Sequence, residues 1–297
     1  MHICLRVFAF GFGFLCLSAV SSVADTGDRV TILYDAFGER PSMKRDWGFA
    51  ALIEYHGKRI LFDTGNNART FADNVDAAGV DLRRLDFVVI SHRHLDHTAG
   101  LSRLLAVNPG VTIYAPKEAF GAFGSSLPGG FYRKDESLPE PMRYYGGHPP
   151  DTMQFGTVWV GAHFELVEKT FEVAPGITIL ALVSETPGTK ELRELSLVLR
   201  TPQGSVLVVG CSHPGIDRIV EAATAIDGHV HVIFGGFHLP TASDEQISHV
   251  AGALHETFRV DRLAPGHCTG EPAFAALRRM WGDQYIYAGV GSVIEIP

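Results

Sequence analysis

Apolar and polar positions along the chain alternate in two rhythms. Short β-branched runs, "RVTILY" (29–34), "FAALIEY" (49–55) and "KRILFDTG" (58–65), read as strands, and "HG" joins the last two as a hairpin. Helical spacing follows in "NARTFADNVDAAGV" and stops at Gly79. "DFVVIS" reads as a buried strand, "TAGLSRLLAV" as a helix, "VTIYA" as a strand, and Lys117 opens a further helix. The period then fades. Residues 121–160 turn to Gly, Pro, aromatic and charged residues, the composition of a loop or lid insertion.

The second half repeats the rhythm. Strands are expected at 176–183, 195–201 and 205–210, a helix over 214–225, and a strand at "HVHVIFGG". A helix from Ser243 to Phe258, a strand at "VDRLAPG", a helix at "PAFAALRRMW" and closing strands "YIYAG" and "SVIEI" complete the chain. Two strand-rich halves, each with helices, predict two sheets packed face to face with helices outside. No linker divides residues 25–297, so they are expected to form a single domain.

The first residues stand apart from this pattern. Arg6, the apolar "VFAFGFGFLCLSAV" and the small residues of "SVA" ending at Ala24 read as a secretory signal over 1–24. The expected location is therefore periplasmic or secreted, with no stable membrane insertion after cleavage. An uncleaved anchor is the alternative. Cleavage would remove Arg6 and no acid, taking Lys+Arg from 25 to 24 against 33 Asp+Glu, so the net charge of -8 becomes -9. An acidic chain without a basic run argues against nucleic acid as a partner and leaves a small-molecule substrate.

Chemistry concentrates at strand ends. "HRHLDH" puts His92 and His94 two residues apart, on one side of an extended segment, with Asp96 and His97 just beyond. Four donors of this type in six residues suit a metal, zinc foremost, with iron or manganese as competitors. Two adjacent ions could polarise an ester or amide and deprotonate a shared water. Later strand ends offer Cys211 and His213 in "GCSHPGI", His238 in "GGFHL", and His267 and Cys268 in "PGHCTG". Cys211 and Cys268 admit two readings, a disulfide or a metal neighbourhood. His56, His148, His163, His229, His231, His249 and His255 lack such a setting and read as structural or exposed.

At these residues the chain resembles the metallo-β-lactamase-fold hydrolases: "HRHLDH" matches their HxHxDH signature, "LFDTG" the motif before it and "PGHCTG" the late histidine motif. "WGFAALIE", "GCSHPGI", "GGFHL" and "HCTG" in this order resemble the branch named for the dihydropterin-aminobenzene ribofuranosyl phosphate synthases. The resemblance implies an α/β four-layer αββα sandwich with two metal ions, zinc foremost with iron or manganese as competitors, held at one edge between the sheets. It implies His92, His94 and His213 around one ion and Asp96, His97 and His267 around the other, with Asp63 orienting a ligand. It also implies hydrolysis by a metal-bound hydroxide, with Asp96 orienting it and His238 donating to the substrate. Two departures stand out: "ETPGTKELRELS" has no histidine where many members carry one, and Cys211 stands where a bridging aspartate is common. A phosphoester, lactone or similar small molecule is the expected substrate. An iron-containing redox protein of the same fold and a non-catalytic metal-binding protein are the alternatives.

Overall fold

A computed structural model describes residues 27–118, 123, 125–128, 132–155, 159 and 161–297. The signal expected at 1–24 lies outside these residues, as do parts of the expected insertion and of the helix expected from Lys117. Strands β1 (Arg29–Tyr34), β2 (Ala50–Tyr55) and β3 (Lys58–Phe62) form a meander. β4 (Phe87–Val89) and β5 (Thr112–Pro116) add in parallel, and β6 (Ser125–Pro128) pairs with β7 (Thr152–Phe155) as a separate ribbon. β8 (His163–Val167) extends the first sheet beside β5. The second sheet runs through β9 (Phe171–Ala174), β10 (Ile177–Val183), β11 (Arg193–Thr201), β12 (Gly204–Val208), β13 (Val230–Gly236) and β14 (Arg262–Gly266). β15 (Val293–Glu295) returns to pair with β1.

Among the described residues, six α-helices accompany the sheets: α1 (Ala68–Ala78), α2 (Leu95–Thr98), α3 (Leu101–Val107), α4 (Ile216–Asp227), α5 (Asp244–Gly252) and α6 (Glu271–Trp281). Three apolar clusters arrange them into layers. Ile32, Ile53, Phe62 and Val89 of the first sheet meet Ile179, Leu197, Val208 and Phe234 of the second, which makes the inter-sheet core. Phe71, Leu101 and Leu104 cover the outer face of the first sheet. On α4, Ile216, Ile219, Val220 and Ala223 recur at helical spacing and, with Leu277 and Trp281 of α6, cover the outer face of the second. The result is the αββα sandwich expected from the sequence.

Local rules explain the boundaries. His56 and Gly57 both take positive φ, 48° and 74°, the backbone of a tight hairpin turn whose twist suits β2 and β3. β3 ends at Phe62, earlier than expected, because Asp63 turns to φ 57° to leave the strand. The helix expected at 98–107 is two pieces, α2 and α3, with Gly100 between them pressed against Thr64. Lys117 and Glu118 are not helical: Lys117 instead donates its N–H to Val167 and continues the edge of the sheet. The helix expected to Phe258 changes to a wider π turn over Ala253–Thr257. "YIYAG" is not a strand, because only Tyr285 bridges to Leu263 before the chain crosses to β15.

Candidate metal centre

The expected ligands leave strands of both sheets at one edge. His92 and His94 follow β4; His94 serves as the N-cap position of α2, whose first turn carries Asp96 and His97. His213, His238 and His267 follow β12, β13 and β14. These three strands are parallel neighbours, so their loops emerge together, where open α/β sheets commonly bind ligands. Asp63, Ser212, His238 and His267 all hold left-handed φ between 45° and 65°. Such strain persists in non-glycine residues only where the surroundings fix it.

Two histidine-rich groups result. His92, His94 and His213 bring one donor atom each within 4.8 Å of one another, as do Asp96, His97 and His267. Within the first, His92 Nε2 lies 3.0 Å from His94 Nδ1. Between the groups, His97 Nε2 lies 3.2 Å from both His267 Nε2 and Cys211 Sγ. Asp96 Oδ2 is 3.4 Å from His267 Nε2. His238 does not sit inside either group; it is exposed at the rim, its ring 4.4 Å from that of His213. Cys211 and Cys268 are buried free thiols, without a bond between them.

The donor tautomers can be read from the outer partners. Asp63 Oδ2 accepts the Nδ1–H of His97 at 2.6 Å, and it also accepts the Ser91 hydroxyl at 2.7 Å. Since that hydroxyl donates to Asp63, it can accept from His92 Nδ1 at 2.9 Å. Glu194 Oε2 takes the Nδ1–H of His213 at 2.9 Å. In each case Nδ1 carries the proton and Nε2 is left as a bare lone pair turned inward, the state a metal ligand requires. Three bare imidazoles with an ionised carboxylate therefore fit a pair of divalent cations.

Electrostatics keep His92 and His94 in the neutral form that reading requires, and protonate His267 beside Asp96. Burial, with the neighbouring histidines, holds His92 well below the usual imidazole range and lowers His94 to about 4, so both are neutral near pH 7. Burial opposes ionisation of Asp96, yet its hydrogen bond to His267 takes it well below the ordinary carboxylate range. Burial also works against a charge on His267, but Asp96, Cys268 and Asp35 raise it to about 10. Asp96 is thus an anion that recruits positive charge from whatever neighbour can supply it.

Sequence reasoning missed four residues of this site. Glu194 is fully buried and accepts the backbone N–H groups of Cys211, Ser212 and His213 as well as the His213 ring. It lies in the very segment noted for lacking a histidine. Asp35 accepts the His267 N–H at 2.9 Å; its position directly after β1 was a signal of the kind used for the histidines. Ser91 links Asp63 to His92. Trp47, 48% exposed, lies 5.3 Å ring to ring from His267 and walls the mouth.

A sheet sandwich with two imidazole and carboxylate clusters at one edge defines a dinuclear metal-binding class of protein. The family model described as "Metallo-beta-lactamase superfamily" matches residues 46–267, and the chain belongs to that superfamily. It is 28% identical over 282 residues to the 7,8-dihydropterin-6-methyl-4-(beta-D-ribofuranosyl)-aminobenzene-5'-phosphate synthase of Methanocaldococcus jannaschii, covering 89% of this chain and 95% of the relative. The crystal structure of Tm1679, a metal-dependent hydrolase of the beta-lactamase superfamily, superposes with a TM-score of 0.66 and 26% identity over 91% of this chain and 99% of that one. Human tRNase Z, short form, shares the fold, with a TM-score of 0.51 and 15% identity over 91% of this chain and 99% of that one.

Proposed function

We propose that the protein is an exported metal-dependent hydrolase acting on a phosphoester, lactone or similar small molecule. The observation that carries this reading is the set of three histidines, His92, His97 and His213, whose Nδ1 atoms are committed to Ser91, Asp63 and Glu194 and which sit in two adjacent groups of donors, each within 4.8 Å. His92, His94 and His213 would hold one divalent ion, and Asp96, His97 and His267 the other, with Cys211 beside the second. Zinc suits these donors best, with iron or manganese the competitors. Bound there, such ions supply Lewis acidity toward a carbonyl or phosphoryl oxygen.

The chain's own residues do the positioning. Asp96, an anion at the floor of the mouth, orients an attacking water and accepts its proton. Glu194 and Asp63 fix the rings so that little reorganisation accompanies reaction. Trp47 offers an aromatic wall against which a substrate's planar or apolar part can rest. The synthase relative is named for a phosphorylated pterin compound, and two divalent cations bound here would meet the charge of a phosphorylated substrate.

The test is metal analysis of the chain together with a phosphoester, lactone and thioester panel. The histidine centre should account for two equivalents of metal, with turnover on one class, and His94→Ala should lose one of them and most of the rate. Full metal content in a folded His94→Ala variant would sink the assignment. For export, sequencing the amino terminus of protein recovered outside the cytoplasm should find a start after Ala24; a start at Met1 refutes processing.

A further inference from the structure

Beyond the two histidine clusters the same sheet edge carries a third group of donors, Cys211, His238 and Cys268. Each lies in the loop that follows one of three adjacent parallel strands, β12, β13 and β14. Neighbouring strands run about 4.8 Å apart, so loops leaving them in register deliver one donor each to a common point. The donor atoms do lie within 4.8 Å of one another. A tetrahedral ion with bonds of about 2.3 Å to sulfur and about 2.0 Å to nitrogen spaces its donors by roughly 3.5–3.8 Å. A small contraction closes that gap.

We propose that Cys211, His238 and Cys268 form a third metal site, selective for thiophilic divalent ions such as zinc or cadmium. Two features beyond proximity support it. Gly236 leaves the room Cys268 needs: a Cβ there would stand 2.7 Å from Cys268 Sγ and 2.8 Å from the Gly210 carbonyl. His238 takes a left-handed φ of 53° shortly after β13, and the next residue, Leu239, donates its N–H to the Cys268 carbonyl at 3.1 Å, tying the two loops together. Both thiols are buried, at 4% and 3% exposure, while the imidazole faces solvent. Two sulfurs inside and one imidazole at the mouth make a Cys₂His set with its fourth position open to water, a coordination known for zinc.

Binding replaces the two thiol protons, which leave to solvent, with one divalent cation, so charge is conserved and no oxidant is involved. Cys211 also lies 3.2 Å from His97 Nε2, so its thiolate is placed to bridge this site and the neighbouring histidine cluster. The assignment makes His238 a ligand rather than the proton donor expected from the sequence.

The test is a cadmium titration of the reduced, metal-stripped full chain, following bound equivalents and the ultraviolet thiolate-to-cadmium absorption. Wild type should bind three equivalents. Cys268→Ser and His238→Ala should each bind two, and each should lose most of the thiolate absorption, keeping only what Cys211 makes beside the neighbouring histidine cluster. His238→Ala changes only an exposed side chain, so its count stands even if Cys268→Ser misfolds. His94→Ala should lose an equivalent without changing the thiolate absorption, which separates a failure of this site from a failure of the histidine centre. Equal counts in wild type and His238→Ala would overturn the proposal. So would a Cys211–Cys268 disulfide, seen by peptide mapping of the unfolded, unreduced chain, which also carries Cys4 and Cys16.

Discussion

At the residue scale the division between what the chain announces and what it conceals follows distance in sequence. His92, His94, Asp96 and His97 sit within one hexapeptide, and spacing alone brings them together. Glu194 is different: it reaches Cys211, Ser212 and His213 from 17 to 19 residues away, and its pairing exists only once β11 and β12 are in register. A buried carboxylate with four donors around it must stay acceptor-only. Burial alone would raise its pKa, and the His213 ring and the backbone donors outweigh that and lower it. Glu194→Gln sets an amide N–H₂ against those donors. Metal affinity of the histidine centre should fall 10- to 100-fold, by loss of His213 orientation. Stability should drop by about 1–3 kcal/mol. Equilibrium dialysis and urea denaturation read the two effects separately, and an unchanged affinity would show that Glu194 does not hold His213 in place.

At the element scale, long β-branched runs were legible and the joints between elements were not. The expected helix at 98–107 breaks at Gly100 because a tertiary contact, invisible to periodicity, lies there: a Cβ would stand 2.2 Å from the Thr64 carbonyl. Gly100→Ala should therefore cost about 1–3 kcal/mol, as overpacking does. Urea midpoints check this, and a variant as stable as wild type would mean that α2 and α3 can part freely. The expected strand at 285–289 fails for a related reason. Tyr285 bridges Leu263, but the following residues must cross to β1 rather than extend the second sheet. Burial there pushes the Tyr285 phenol up to about 12, against a partial lowering by Arg278. The folded state thus keeps a proton that the unfolded state sheds near pH 10. Its contribution is present in full below about pH 10 and is lost as pH climbs toward about 12. Tyr285→Phe should flatten the alkaline fall in urea midpoint over that window; an unchanged fall would place the titration elsewhere.

For the whole molecule, the layered architecture followed from alternation of strands and helices, while the joining of the two sheets at the site came from the family resemblance and not from spacing. His92, His94, Asp96 and His97 hang from the first sheet, and His213 and His267 from the second. An ion held by both sets ties the sheets together at one edge, in addition to the apolar core between them. A ligand bound only by the folded state stabilises it by an amount set by its excess over Kd, about 2.7 kcal/mol at 100-fold and about 4.1 kcal/mol at 1,000-fold. Chelation should then lower the Tm of wild type by several degrees and leave a folded apo protein, because the core of Ile53, Phe62, Leu197 and Phe234 remains buried. Adding zinc back should restore the Tm in a concentration-dependent way. In His213→Ala, which removes the second sheet's contribution to the first cluster, the restored increment should shrink, whereas Leu197→Ala should lower both Tm values by a similar amount, from a cavity costing about 2–5 kcal/mol. Scanning calorimetry with and without chelator separates these cases, and a Tm indifferent to metal in wild type would show that the ions do not bridge the sheets.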